Sequence, residues 1–89
     1  MYVTLDGSQM HDKISAHRLM QSKLGVGEYY GDNLDALYDV LSTHDRFLTV
    51  TWVNTEAMKA LLGDYAEKML HIFLLAAADN ANLNVYMER

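Results

Sequence analysis

Phe47-Leu-Thr-Val-Thr-Trp-Val53 is the stretch on which the fold turns. Seven β-branched, aromatic and aliphatic side chains with no glycine, proline or charge predict a buried strand. Helical patterns stand on both sides of it. Upstream, Leu34, Leu37, Tyr38 and Leu41 fall at i, i+3, i+4 and i+7, a core-facing stripe on a helix from about Leu34 to Ser42, with Asn33 as its N-cap. Downstream, Asn54-Thr55 caps a short helix from Glu56 to about Leu62, closed by Gly63. Asp64, with Glu67 three residues on, has the form of a capping box for the longest helix, about Tyr65 to Asp79. Ala66, Met69, Leu70, Phe73, Ala76 and Ala77 form its broad inner face.

Further outward, Tyr2-Val-Thr-Leu5 alternates and ends at Asp6-Gly7, which reads as a short strand and a turn. Asp12 caps a helix running to about Leu24, with Ala16, Leu19, Met20 and Leu24 on one side and Gly25 and Gly27 stopping it. A loop carries Glu28 to Gly31. At the other end Asn80-Ala-Asn82 turns into a last strand, Leu83 to Met87. The order is strand, two helices, strand, two helices, strand. Helical crossovers between successive strands predict an α/β fold: a three-stranded parallel sheet with right-handed connections, flanked by about four helices.

Composition narrows the functional classes. With 89 residues, 51% of them hydrophobic, the chain is expected to form one domain over residues 1–89. That length buries roughly two thirds of the unfolded surface in a single core. The longest apolar run, Ile72 to Ala78, is far short of a membrane span of about 20 residues. No basic region followed by a hydrophobic stretch opens the chain, so no signal peptide is expected. Cysteine is absent, which removes disulfides, thiol nucleophiles and thiolate metal sites and fits a reducing cytoplasm. A net charge of −5 speaks against nucleic acid or anionic lipid as direct partner and favours a basic protein.

The acidic residues are concentrated. From Leu24 to Asp45 the chain has Glu28, Asp32, Asp35, Asp39 and Asp45 and no Lys or Arg. Asp35 and Asp39, four residues apart, share one helix face, turned well away from the apolar stripe. Such a like-charged pair costs an isolated helix roughly 0.2–0.5 kcal/mol. Three readings compete. As a catalytic pair the two carboxyls are poorly placed, because general acid/base chemistry needs them facing each other across a cleft. A solvated acidic face is the plain alternative. An interface for a cationic protein is the third, with the charges speeding association. Tyr29 and Tyr30, just ahead of this helix, have the composition of an interface anchor, although one ring is expected to pack inward. Gly31 permits a turn before Asn33. Of the histidines, His17 and His71 are expected to be packed or capping groups, and His44 sits past the acidic helix on the rim of its exposed face. No pair has the i, i+4 spacing of a helical metal site, so no metal and no cofactor is expected.

Glu28-Tyr-Tyr-Gly-Asp-Asn-Leu-Asp-Ala-Leu-Tyr-Asp-Val-Leu41 closely resembles the signature of the barstar family, intracellular inhibitors of barnase-type secreted ribonucleases. An early Asp-Gly turn followed by Gln9, His17 in the first helix, a tryptophan ending the middle strand and a Leu-x-x-Phe helix extend the likeness over nearly the whole chain. The resemblance implies a small parallel sheet flanked by helices and a stoichiometric, cofactor-free inhibitor that is not an enzyme, acting in the cytoplasm as a monomer in a 1:1 complex. It implies that Asp39 stands where the scissile phosphate binds a guanyl-preferring ribonuclease, facing Arg and His groups. Asp35 pairs with cationic or amide groups nearby and Tyr29 covers the catalytic histidine. Tyr30, Gly31, Asn33, Leu34, Tyr38 and Ser42 surround them. Four departures stand beside it: Gly27 in place of a frequent proline, Tyr38 in place of a tryptophan, His44 in place of an aromatic, and Leu74-Leu75-Ala76 where the family has an acidic residue on the last long helix. The last implies one acidic contact fewer, and leaves a divergent ribonuclease, a non-ribonuclease toxin or another basic protein open as the partner.

Overall fold

The computed structural model of the chain describes residues 1–25 and 33–88. Its elements are β1 (Tyr2–Asp6), a 3₁₀ turn (Gly7–Gln9), α1 (Lys13–Leu24), α2 (Leu34–Ser42), β2 (Leu48–Val53), α3 (Thr55–Leu62), α4 (Asp64–Asp79) and β3 (Leu83–Met87). The strands form one parallel sheet in the order β1-β2-β3. The predicted α/β architecture is the observed one.

Strand order and chirality together decide where the helices go. Both crossovers step across the sheet in the same direction, and right-handed crossovers of one direction put their helices on the same face. The register confirms the consequence. Val3, Val50 and Val85 lie in one row and Leu5, Trp52 and Met87 in another. Apart from Met87, which is exposed at the end of its row, these side chains point into a cluster completed by Ala16, Met20, Leu37, Leu41, Met58, Met69 and Phe73 from the four helices. The alternate rows, Tyr2-Thr49-Asn84 and Thr4-Thr51-Tyr86, form the opposite face, where Tyr2 is 88% and Tyr86 59% exposed. Parallel sheets are usually covered on both sides; this one has a largely polar back of threonine, tyrosine and asparagine, with Asp6 and Val53 as its next row. At the centre of the core Trp52 meets Phe73 edge to face, ring centroids 5.1 Å apart. The Trp52 indole N–H has no hydrogen-bond partner among the described residues.

Local signals explain most boundaries and fail at three, and one histidine expected to be packed or capping is exposed. Asp12 caps α1 as expected, its carboxylate accepting from Ser15 N at 2.7 Å, while Ser15 Oγ accepts from Asp12 N and completes a capping box. Phe47, read as part of the middle strand, lies outside it and is 72% exposed. Pairing begins at Leu48, and Phe47 contributes only its carbonyl, which accepts from the N-terminal ammonium of Met1. Asn54 precedes α3 but does not cap it. It adopts φ 55°, ψ 41°, and its side chain donates to Asp6 instead, at 2.8 Å. The Asp64–Glu67 box does not form, because α4 already starts at Asp64 and Gly63 takes the cap position with φ 61°. His71, expected to be packed or capping, is exposed on α4. His17 is buried as expected, its Nε2 hydrogen-bonded to the Tyr65 hydroxyl.

Gly7 is where the 3₁₀ turn meets α3. A Cβ at this position would lie 2.5 Å from the Asn54 carbonyl oxygen and 2.7 Å from Met58 Cβ, so a side chain forces backbone and core apart. Gly7→Ala is expected to destabilise the fold by about 1–3 kcal/mol, measured by urea unfolding. A loss under about 0.5 kcal/mol, the level of a neutral surface change, would show that this packing yields easily.

Asp6 and Asp12 carry a pH dependence. Hydrogen bonds from Ser8 and Asn54 hold the Asp6 carboxyl below its ordinary range, and bonds from Ser15 do the same for Asp12. A carboxylate whose folded pKa is depressed stabilises the fold above its unfolded value, about 3.9, and that contribution disappears as pH falls through the folded value. The chain is therefore expected to weaken below about pH 4. Asp6→Asn keeps an acceptor oxygen but no titration, so its urea midpoints at pH 6 and pH 3 are expected to differ less than those of the parent. Equal differences would place the acid sensitivity elsewhere. Among the described residues no helix is long and apolar enough to cross a membrane.

Candidate functional site

The amphipathic pattern of α2 does what its spacing predicts. Leu37 and Leu41 are fully buried, and Leu34 and Tyr38 are half-buried against the same core. The Asn33 side chain accepts from Ala36 N at 2.8 Å and starts the helix. Asp35 and Asp39 are left on the exposed side, one turn or about 6 Å apart along the axis. Asp35 in the first turn is favoured by the positive end of the helix dipole; Asp39, in the second half, is not. At the other end the Asp39 carbonyl accepts from Thr43 N at 3.1 Å, from the Thr43 hydroxyl at 2.5 Å and from Ser42 Oγ at 3.4 Å, which ties its backbone into the helix terminus. Among the described residues the one ion pair is Lys59–Glu56, at 3.6 Å on α3, so neither aspartate is neutralised by a base of these residues.

What sequence reasoning missed is the attachment of this helix to α4. The Tyr38 hydroxyl donates to the Asp79 carboxylate. That bond favours the protonated phenol and raises its pKa above the ordinary value; desolvation and the charges of Asp79 and Asp39 add to it. Tyr38 therefore stays a donor at neutral pH. Next along the chain, buried Asn80 donates through Nδ2 to the carbonyls of Leu41 and His44, both at 2.9 Å, and accepts from Asn82 N at 3.0 Å. Leu41 is among the last residues of α2, whose carbonyls have no partner within the helix. Asp79 and Asn80 thus clasp α2 from the end of α4. An Asp-Asn pair closing a long helix marks a stop, but nothing in the linear sequence says which distant carbonyls it serves.

Asn33, Leu34, Asp35, Tyr38, Asp39 and Ser42 are brought together on α2 and its cap, with half-buried His44 two residues past its end. His44 Nδ1 lies 2.9 Å from the Arg46 carbonyl, which can only accept, so Nδ1 carries the proton. Tyr29, Tyr30 and Gly31, with Glu28 and Asp32, lie outside the described residues. Among the described residues no three His, Cys, Asp or Glu side chains gather as a metal site.

Two comparisons bear on this arrangement. The family profile described as "Barstar (barnase inhibitor)" matches residues 1–88. A protein of Bacillus subtilis (strain 168) named "Putative ribonuclease inhibitor YrdF" is 35% identical over 71 residues, covering 79% of this chain and 78% of its own. Strand order, helix order and the two matches agree, and the chain belongs to the barstar family.

Proposed function

We propose that this chain is a stoichiometric inhibitor of a guanyl-preferring, barnase-type extracellular ribonuclease, inserting α2 and the loop before it into the enzyme's cleft in imitation of RNA phosphates. Family membership and the printed name of the Bacillus subtilis relative support a ribonuclease as the target. The observation that carries the mechanism is the exposure of Asp35 and Asp39 on a helix whose opposite side, Leu37 and Leu41, is locked in the core. A ribonuclease cleft must be cationic to hold phosphate. Carboxylates held at matching spacing gain charge-assisted hydrogen bonds there, stronger than neutral ones.

In this reading Asp39 occupies the scissile-phosphate position, Asp35 pairs with a neighbouring cation and Tyr29 covers the catalytic histidine. Tyr30, Gly31, Asn33, Leu34, Tyr38 and Ser42 border them and His44 lies on the rim. The chain acts in the cytoplasm as a single-domain monomer, 1:1, without cofactor or turnover. The test is titration of several microbial guanyl-specific ribonucleases. RNA cleavage is expected to vanish at one equivalent, and no inhibition at micromolar concentration across the set rejects the reading. A second reading, an acidic module for a non-ribonuclease toxin or other basic protein, is favoured by one observation: Leu74 and Leu75 stand exposed where the resemblance has an acidic residue. Capture from the native lysate separates the two.

A further inference from the structure

Nine large apolar side chains are exposed among the described residues, and single exposed leucines are ordinary. Leu75 is distinguished by its address. On α4, Ile72, Leu75 and Asp79 follow one another at i, i+3 and i+7 and so share one flank of the helix. Ile72 at one end of that row is packed against the core, and Asp79 at the other is bonded to Tyr38 of α2. The flank bearing Leu75 is therefore the one turned toward α2. Leu74, exposed to a similar degree (49% against 42%), is rotated about 100° around the helix onto the other side.

The direction of the helices places Leu75 further. α2 and α4 each deliver the chain to the start of a strand in one parallel sheet, so they run the same way. One turn back from the bonded pair Tyr38–Asp79 stand Leu34 on α2 and Leu75 on α4. Leu34 is half-buried, and Asp35 follows it directly on the exposed side. Two apolar side chains, half-buried Leu34 and exposed Leu75, thus stand beside the acidic face. Lys68, the base on the same flank of α4, is a further two turns away, about 10 Å.

We propose that Leu75, with the edge of Leu34, is a specificity-determining contact for the partner that docks on Asp35 and Asp39: a basic protein that presents an apolar side chain, rather than another cation, to α4. This rests on the proposed function and adds to it the chemistry of the partner's rim. The occupant is fixed by two complementarities acting side by side. Cations meet the carboxylates of α2, and an uncharged group meets a leucine that neither hydrogen-bonds nor tolerates a desolvated charge. Interfaces commonly place apolar contact beside polar rims, with charge depleted at the buried centre.

The experiment uses the whole chain in four forms, parent, Leu75→Asn, Leu74→Asn and Leu75→Glu, against the guanyl-specific ribonuclease that the parent inhibits best, with barnase included in the set. Leu75→Asn is expected to raise Kd about tenfold or more, through lost burial and an amide left without its water, while Leu74→Asn leaves Kd within twofold. Thermal melts of the asparagine variants should match the parent, since both positions are exposed. Equal Kd values for Leu75→Asn and Leu74→Asn overturn the proposal and leave the inhibitor reading intact. Tighter binding by Leu75→Glu also overturns it, since the partner would then offer a cation at α4. A parent that inhibits none of the ribonucleases rejects the inhibitor reading, and this proposal with it.

Discussion

Asp39→Ala is expected to weaken inhibition by two or more powers of ten while leaving the fold intact. In the proposed complex the carboxylate neutralises cations in a desolvated cleft. Removing one member of such a pair leaves the other buried and uncompensated, at a cost of about 3–5 kcal/mol. At about 1.4 kcal/mol per tenfold change, that is a loss of at least roughly a hundredfold. The isolated chain gains slightly. Asp39 is exposed and lies four residues from Asp35 in the half of α2 where the helix dipole disfavours a negative charge. Alanine is also the better helix former. The thermal midpoint should therefore hold or rise. Glu67→Ala is the control, an exposed acid near the start of α4. It is expected to leave Kd unchanged. If both substitutions weaken binding alike, the interface is not on α2.

Asn80→Ala is expected to cost the fold more than any single surface change. The side chain is buried and serves three backbone groups at once: the Leu41 and His44 carbonyls and the Asn82 amide. Each buried polar group left unsatisfied costs about 1–3 kcal/mol, and partial rescue by water brings the total to about 2–4 kcal/mol. Against a total stability of about 5–15 kcal/mol this is a large share. For a chain of this size each kcal/mol moves Tm by roughly 4–8 °C, so a fall on the order of 10 °C or more is expected by circular dichroism. Hydrogen exchange at the Leu37–Leu41 amides should accelerate more than in α1, because the clasp holds the end of α2. A fall of only a few degrees would mean that water replaces the amide at little cost.

The parts legible in the sequence are those written by neighbours. The α2 stripe was readable because Leu37 and Leu41 repeat at helical spacing, and the α1 cap because Asp12 and its target lie three residues apart. The composition of residues 47–53 announced a buried strand, whereas the division of β2 into a core face, Leu48, Val50 and Trp52, and a half-buried one, Thr49, Thr51 and Val53, came from the structure. What escaped depends on residues distant in the chain. Asn54 looks like a cap, yet its amide reaches 48 positions back to Asp6, and a local preference yields to that tertiary bond. Phe47 has strand composition, but the strand it would extend has no pairing partner beyond Leu48. The same holds for the candidate site. Exposure of Asp35 and Asp39 follows from the period of α2 alone, whereas the Tyr38–Asp79 and Asn80–Leu41 bonds span 41 and 39 positions and leave no mark in either segment.

The polar back of the sheet has a practical corollary. Threonine and tyrosine there look away from the helical layer, while Asp35 and Asp39 look outward from that layer on the far side. The molecule has two poles, and a chain without cysteine accepts one engineered thiol as a unique handle. A Thr4→Cys variant tethered through its sulfur to a sensor chip would hold every copy by the same pole, with the carboxylates facing the flowing solution.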